Sequence, residues 1–266
     1  MIADYHLHSR FSADSSEEPR RIIERAAALG MRSLCFTDHQ DFDYAYDELD
    51  FTLDYDAYFK TLSALREEYS GKIDVRIGVE TGLEPHLSAR LGEFVKKRPY
   101  DFVIGSTHLI NGVDPYYPEY FAGVTDREAF LRYFDYALES FKTCADFDVY
   151  GHLDYIVRYA PEKDKNYSYA AFSDVIDEIL KTLIESGKGI ELNTGGLTRG
   201  MANPNPCPEV VARYRELGGE IITVGSDAHK SEDIGAEFDL ARDILLRSGF
   251  EYYTVFKDRK PEFIKL

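Results

Sequence analysis

The chain has 266 residues, 44% of them apolar, and 48 acidic against 31 basic residues, a formal net charge of −17. That length supports one sizeable core, and so acidic a surface repels phosphate backbones and anionic lipids, which argues against nucleic acid or a membrane surface as partner. No apolar run nears the roughly 18–20 residues of a membrane span. Polar Asp4, His6 and His8 stand where a secretory signal would be apolar. The separated cysteines Cys35, Cys144 and Cys207 form no disulfide framework, so a reducing cytoplasm is the expected location.

Short runs rich in Ile, Val, Phe and Tyr predict buried strands at 2–5, 32–37, 73–79, 101–106, 147–151, 189–192 and 220–225. Amphipathic stretches fall between them. In 17–29, Ile22, Ile23, Ala26, Ala27 and Leu29 share a face, with Ser16 as cap and Gly30 as stop. Segments 54–69 and 87–97 read as helices too. In 126–142 the stripe is Phe130, Leu131, Phe134, Leu138 and Phe141, and 168–186 has a longer one ending at Gly187. Segments 207–217 and 233–248 complete the set, with long loops at 107–125 and 193–206 and a closing strand plus tail over 250–266. Seven strand-then-helix units in one domain, 1–266, predict a parallel sheet with helical crossovers. The expected architecture is α/β, a distorted (β/α)7 TIM-like barrel; an open doubly wound sheet is the alternative.

The chemistry-bearing residues follow the predicted strands. His6 and His8 follow the first, His39 the second, Glu80 closes the third, His108 follows the fourth, His152 the fifth, and Asp227 and His229 the seventh. In a parallel barrel these strand ends converge on one rim, so six histidines and two acids meet in one bowl. Clustered imidazolium ions would repel and buried neutral ones would lose solvation, whereas divalent cations use the lone pair of each. His6 and His8, at i and i+2 on an extended strand, reach one ion together. Glu80 and Asp227 offset the ionic charge and can bridge ions. Asp14 offers a further oxygen, or starts the first helix.

His6-Leu7-His8, Thr37-Asp38-His39, Gly78-Val79-Glu80, Ser106-Thr107-His108, Gly151-His152 and Ser226-Asp227-Ala228-His229 resemble the ordered motifs of the polymerase-and-histidinol-phosphatase (PHP) family. The blocks Gly151-His152-Leu153-Asp154 and Glu191-Leu192-Asn193-Thr194 are most similar to its stand-alone histidinol-phosphate phosphatases. The resemblance implies a trinuclear metal centre of zinc, iron or manganese. By motif, one ion falls to His6, His8, Glu80 and Asp227, a second to Asp14, His39 and His229, and a third to Glu80, His108 and His152.

The activity this implies is hydrolysis of a small phosphate monoester, L-histidinol phosphate first, by a metal-bridging hydroxide attacking phosphorus in line. Another phosphate ester (a sugar phosphate, a nucleotide or a phosphodiester) and a metal-stabilised regulatory module without turnover are the alternatives. Glu80 and Asp227 are expected to be catalytic as metal bridges. Asp38 and Asp154 are expected either to orient metal-bound imidazoles or to protonate the leaving alkoxide. Arg158 and Arg199 are candidate phosphate clamps, and His86 a candidate substrate contact. Residues 41–56, rich in acids and aromatics, read as a rim lid for a cationic, imidazole-bearing substrate or as a solvated loop.

Overall fold

The computed structural model describes residues 1–46 and 49–266. The apolar runs form β1 (Ala3–Leu7), β2 (Ser33–Phe36), β4 (Asp74–Gly82), β5 (Phe102–Ser106), β6 (Val149–Tyr150), β7 (Gly189–Asn193) and β8 (Ile222–Gly225). A two-residue β3 (His39–Gln40), unforeseen in the sequence, pairs with the upper part of β4. Neighbours run β1-β2-β4-β5-β6-β7-β8, each pair parallel. The seam closes just beyond β8, where the Asp227 N–H donates to His6 O at 2.9 Å and the His8 N–H to Ala228 O at 3.0 Å. The sheet is therefore the expected seven-stranded barrel and not an open doubly wound sheet.

Helices α1 (Pro19–Ala28), α2 (Tyr55–Glu68), α3 (Ser88–Lys96), α4 (Asp126–Thr143), α5 (Ser173–Glu185), the single turn α6 (Gly195–Thr198), α7 (Pro208–Glu216) and α8 (Phe238–Arg247) occupy the crossovers. Their apolar stripes pack on the strands, burying Ile22, Ile23 and Ala26 of α1 and Ile176, Ile179, Leu180 and Leu183 of α5. A Thr125–Glu128 capping box starts α4. Ser16 does not cap α1: the helix begins at Pro19, whose fixed φ and missing N–H suit a first helical position. Helix α5 begins at 173 and α8 at 238, later than their periodicity predicts; left-handed Glu237 delays α8. No helix of the described residues is long and apolar enough to cross a membrane.

The C-terminal segment is not a closing strand of the barrel. It forms an antiparallel hairpin, β9 (Tyr252–Lys257) with β10 (Lys260–Lys265), that covers the barrel's N-terminal mouth. Phe256 stacks on Phe102 with ring centroids 4.9 Å apart, and Tyr5 Oη donates to Phe256 O at 3.1 Å. With that mouth plugged by aromatic rings, the other rim is left to polar side chains.

One irregularity places the histidines. Asp4 pairs with Leu34 but Leu7 with Phe36, so three steps along β1 match two along β2. This extra residue is a bulge, and it lets two consecutive side chains face inward. Tyr5 packs edge-on against Phe102 in the lower barrel. His6 then turns toward Glu80 and Glu191 in the upper barrel.

Candidate metal centre

Glu80 is the hub. The register of β3 against β4 sets His39 beside it, and its carboxylate is fully buried. Oε2 lies 3.1 Å from His6 Nε2, 3.5 Å from His8 Nε2 and 3.0 Å from His39 Nδ1. Oε1 lies 3.2 Å from His108 Nε2 and 2.9 Å from His152 Nε2. Asp227 Oδ1 stands 3.5 Å from His8 Nε2 and 3.7 Å from His229 Nδ1. Asp14, at the outer edge, reaches His229 Nε2 at 3.0 Å and His39 Nε2 at 3.7 Å. The structure thus brings all nine candidate ligands together. Two of them, His152 (φ 23°) and Asp227 (φ 55°), hold backbone conformations that residues with a Cβ seldom adopt.

The donor set fits divalent cations. His6 Nε2, His8 Nε2, His39 Nδ1 and Glu80 Oε2 are buried and make no hydrogen bond of good geometry, a costly arrangement unless another group completes it. Donor atoms converge within 4.8 Å in four groups: His6, His8 and Glu80; Glu80, His108 and His152; His8, His39 and His229; and His39, Asp41 and His108. Electrostatics agree. Burial would raise Glu80, but the surrounding His6, His108 and His39 hold it well below the ordinary carboxylate range. Burial disfavours charge on His6, yet Glu191 and Glu80 outweigh it and push the imidazole well up; Asp41 and Glu80 do the same for His108. Against the same penalty, Glu80 and Asp14 lift His39 to about 9. His8 moves the other way, lowered by burial and by its neighbours His229 and His39. Lowered carboxylates beside raised imidazoles mark a site that favours added positive charge, which divalent cations would supply.

Groups behind the cluster choose which nitrogen faces it. The Nδ1–H of His6 donates to Glu191 Oε1 at 2.6 Å, that of His108 to Asp41 Oδ1 at 3.0 Å, and that of His229 to the Asp227 carbonyl at 3.0 Å. Each would leave the Nε2 of a neutral ring with its lone pair toward the centre. Sequence reasoning missed Glu191 and placed Asp41 in a segment read as lid or solvated loop. The signal for each was present: Glu191 alternates with Asn193 in an apolar strand, and Asp41 follows His39 by two. Gly82 makes room for Asp41, because a Cβ there would sit 2.0 Å from Asp41 Oδ1.

The structure places the remaining candidates as follows. Asp38 is fully buried and accepts from Ser9 and Ser12, and Asp154 is 1% exposed and accepts from Asn205 and the Cys207 N–H. Neither lines the cavity over the cluster, so neither is placed to protonate a leaving group there. Asp154 instead holds Asn205, whose Oδ1 receives Arg158. Arg158 is no open clamp either: its guanidinium is buried, donating to Asp227 Oδ2 at 2.9 Å and to Asn193 and Asn205. Arg199, the residue just past the single-turn α6, does line the cavity; it donates to Gly195 O at 3.1 Å and reaches Asp227 Oδ2 at 3.4 Å. His86 is exposed beside Asp43 at 3.4 Å and is not part of the cavity wall. Of the 41–56 segment, Asp41, Tyr44, Leu49 and Phe51 line the cavity, Asp43 is tied to Arg90, and Asp47 lies outside the described residues.

The cavity, about 350 Å³, is walled by Tyr44, Phe51, Tyr116, Tyr117, Tyr155 and Tyr159, with Asp114 among them and Asp14, His39, His108 and His229 at its floor. Asp114 accepts from Tyr44 Oη at 3.0 Å and from the Tyr116 N–H at 2.8 Å.

A histidine- and carboxylate-lined centre at the C-terminal rim of a parallel barrel defines a metal-binding catalytic scaffold of the TIM-like class. Residues 4–195 match the PHP domain, and the chain belongs to the PHP family. It is 33% identical to the histidinol-phosphatase of Lactococcus lactis subsp. lactis over 97% of this chain and 95% of that one. A Clostridium acetobutylicum protein named "probable histidinol-phosphatase" is 34% identical over 90% of each chain. The crystal structure of the Lactococcus lactis histidinol phosphate phosphatase, complexed with zinc, L-histidinol and phosphate, superposes with a TM-score of 0.90, covering 98% of both chains at 32% identity.

Proposed function

We propose that residues 1–266 act as one catalytic unit, a metal-dependent phosphomonoesterase that hydrolyses L-histidinol phosphate to L-histidinol and phosphate in the cytoplasm. The observation that carries this reading is the convergence of five imidazoles on one buried carboxylate, Glu80, beneath an aromatic and acidic cavity. A relative similar over nearly its whole length is a zinc protein solved with L-histidinol and phosphate. The three unpaired buried thiols accord with a reducing compartment.

His6, His8, Glu80 and Asp227 would hold one ion, Asp14, His39 and His229 a second, and Glu80, His108 and His152 a third. Bound divalent ions supply charge for the phosphoryl oxygens and acidify water to near neutrality. The protein does the remaining work. Arg199 faces the cavity and offers a guanidinium fork to phosphate. Arg158 holds Asp227 from behind. The tyrosine-rich wall stacks an imidazole, and Asp114 with its neighbours favours a cation over a neutral alcohol. These two features match the imidazole and the amine of L-histidinol phosphate.

The test is phosphate release from a panel: L-histidinol phosphate, a sugar phosphate, a nucleotide and a phosphodiester, each with metal-analysed protein. The highest kcat/KM is expected for L-histidinol phosphate. A higher value for any other ester overturns the substrate assignment, and no turnover of any member by fully loaded protein points to the regulatory module.

A further inference from the structure

Ser12, in the loop between β1 and α1, is a buried hydroxyl with every hydrogen-bonding site in use. Its Oγ donates to Asp38 Oδ1 at 2.9 Å, receives the backbone N–H of His39 at 3.0 Å, and lies 3.1 Å from His8 Nδ1. A hydroxyl has one proton and two lone pairs. The proton is directed at Asp38, whose carboxylate also accepts the Ser9 N–H at 2.7 Å and Ser9 Oγ at 2.9 Å. One lone pair takes the His39 N–H, which can only donate. The other lone pair can only accept, so the proton of the His8–Ser12 contact must sit on His8 Nδ1. Nε2 then carries the lone pair, and Nε2 is the atom that stands 3.5 Å from both Glu80 and Asp227.

We infer that Ser12, backed by Asp38, is a positioning residue that fixes His8 in its Nδ1–H form and so presets His8 Nε2 as a metal donor. The inference rests on the metal reading above. His6 and His108 receive this form from carboxylates and His229 from a carbonyl, acceptors with no proton to give. A serine hydroxyl alone permits either form of His8; Asp38 behind it removes the choice. The same oxygen ties the His39 backbone to the His8 ring, so one atom registers ligands from the first and second strand ends. This gives Asp38 a role that does not require it to reach the cavity.

Two measurements test it. In metal-stripped, folded wild-type protein labelled with 15N-histidine, with His8 assigned by loss of its signals in His8→Gln, Nδ1 is expected to carry the proton before any metal binds; a proton on Nε2 overturns the inference. Zinc release to an excess of chelator is then compared among wild type, Ser12→Ala and Ser12→Thr. Ser12→Ala is expected to release metal about 10- to 100-fold faster, with Ser12→Thr near wild type because it keeps the hydroxyl. Thermal melts of the same samples separate this effect from general unfolding. Wild-type release rates in fully loaded Ser12→Ala overturn this inference alone. A wild-type protein that binds none of zinc, iron and manganese overturns the metal reading and this inference with it. Should Ser12→Ala fail to fold, the wild-type spectrum decides.

Discussion

Glu191 joins two candidate ligands from behind: its Oε1 accepts the Nδ1–H of His6 at 2.6 Å, while its Oε2 accepts the backbone N–H of His152 at 2.9 Å. One buried carboxylate thus orients an imidazole from the first strand and anchors the chain that carries another from the fifth. Replacing Glu191 by Gln keeps the shape but removes the charge and sets an amide against Nδ1. Metal affinity, measured by competition with a chromogenic chelator, is expected to fall about 10- to 100-fold. Unchanged affinity would leave Glu191 a packing residue.

The two arginines should separate. Arg199 is partly exposed on the cavity wall, whereas Arg158 is 6% exposed with its fork on Asp227 and two asparagines. Arg199→Met is expected to raise KM about tenfold or more with little change in Tm, the loss of a charged hydrogen bond to phosphate being worth about 1.5–3 kcal/mol. Arg158→Met removes the nearest cation from buried Asp227 and the donor to Asn193 and Asn205, and is expected to cost on the order of 3 kcal/mol of folding stability. The check is steady-state kinetics beside chemical denaturation; identical profiles for the two variants would contradict their placement.

Asp114 sits among the tyrosines of the cavity, outside the residues assigned to metal. Asp114→Asn is expected to raise KM for L-histidinol phosphate severalfold more than for a neutral phosphate ester, because only the former presents a cation to the carboxylate. Equal effects on both esters would remove Asp114 from substrate recognition.

Metal uptake should release protons. In stripped protein, nearby carboxylates hold His6 and His108 well above the ordinary imidazole range and His39 up to about 9. A raised imidazole keeps its proton below the folded pKa and loses it as pH climbs through that value. At pH 7.5, zinc loading must therefore displace protons from these rings, and apparent affinity must rise with pH through about 9, the range in which His39 loses its proton. Recording proton release in a pH-stat during zinc titration checks this; uptake without release at pH 7.5 would contradict it.

Much of this was legible in the sequence because a parallel barrel converts strand ends into a shared rim. His6, His39, Glu80, His108, His152 and Asp227 all follow or close apolar runs and meet. What escaped depends on register and partners. The bulge that turns Tyr5 and His6 to the same side breaks the alternation that a sequence pattern assumes. The pairing of β3 with β4, which seats His39 beside Glu80, spans two residues and carries no periodic signal. The C-terminal hairpin reads as strand from composition, but only contacts such as Phe256 on Phe102 place it beneath the barrel. Arg158 and Arg199 look alike as glycine-flanked or strand-end arginines; burial alone separates a buttress for Asp227 from a group facing the cavity.

The central claim is that distant segments gather cations which make a phosphate ester hydrolysable. Its most direct test is phosphate release from L-histidinol phosphate by protein assayed as loaded, after complete stripping with a chelator, and after zinc or manganese is restored. Activity should disappear with the metal and return in proportion to ions bound, up to three per chain. Turnover that persists in metal-free protein would contradict the account.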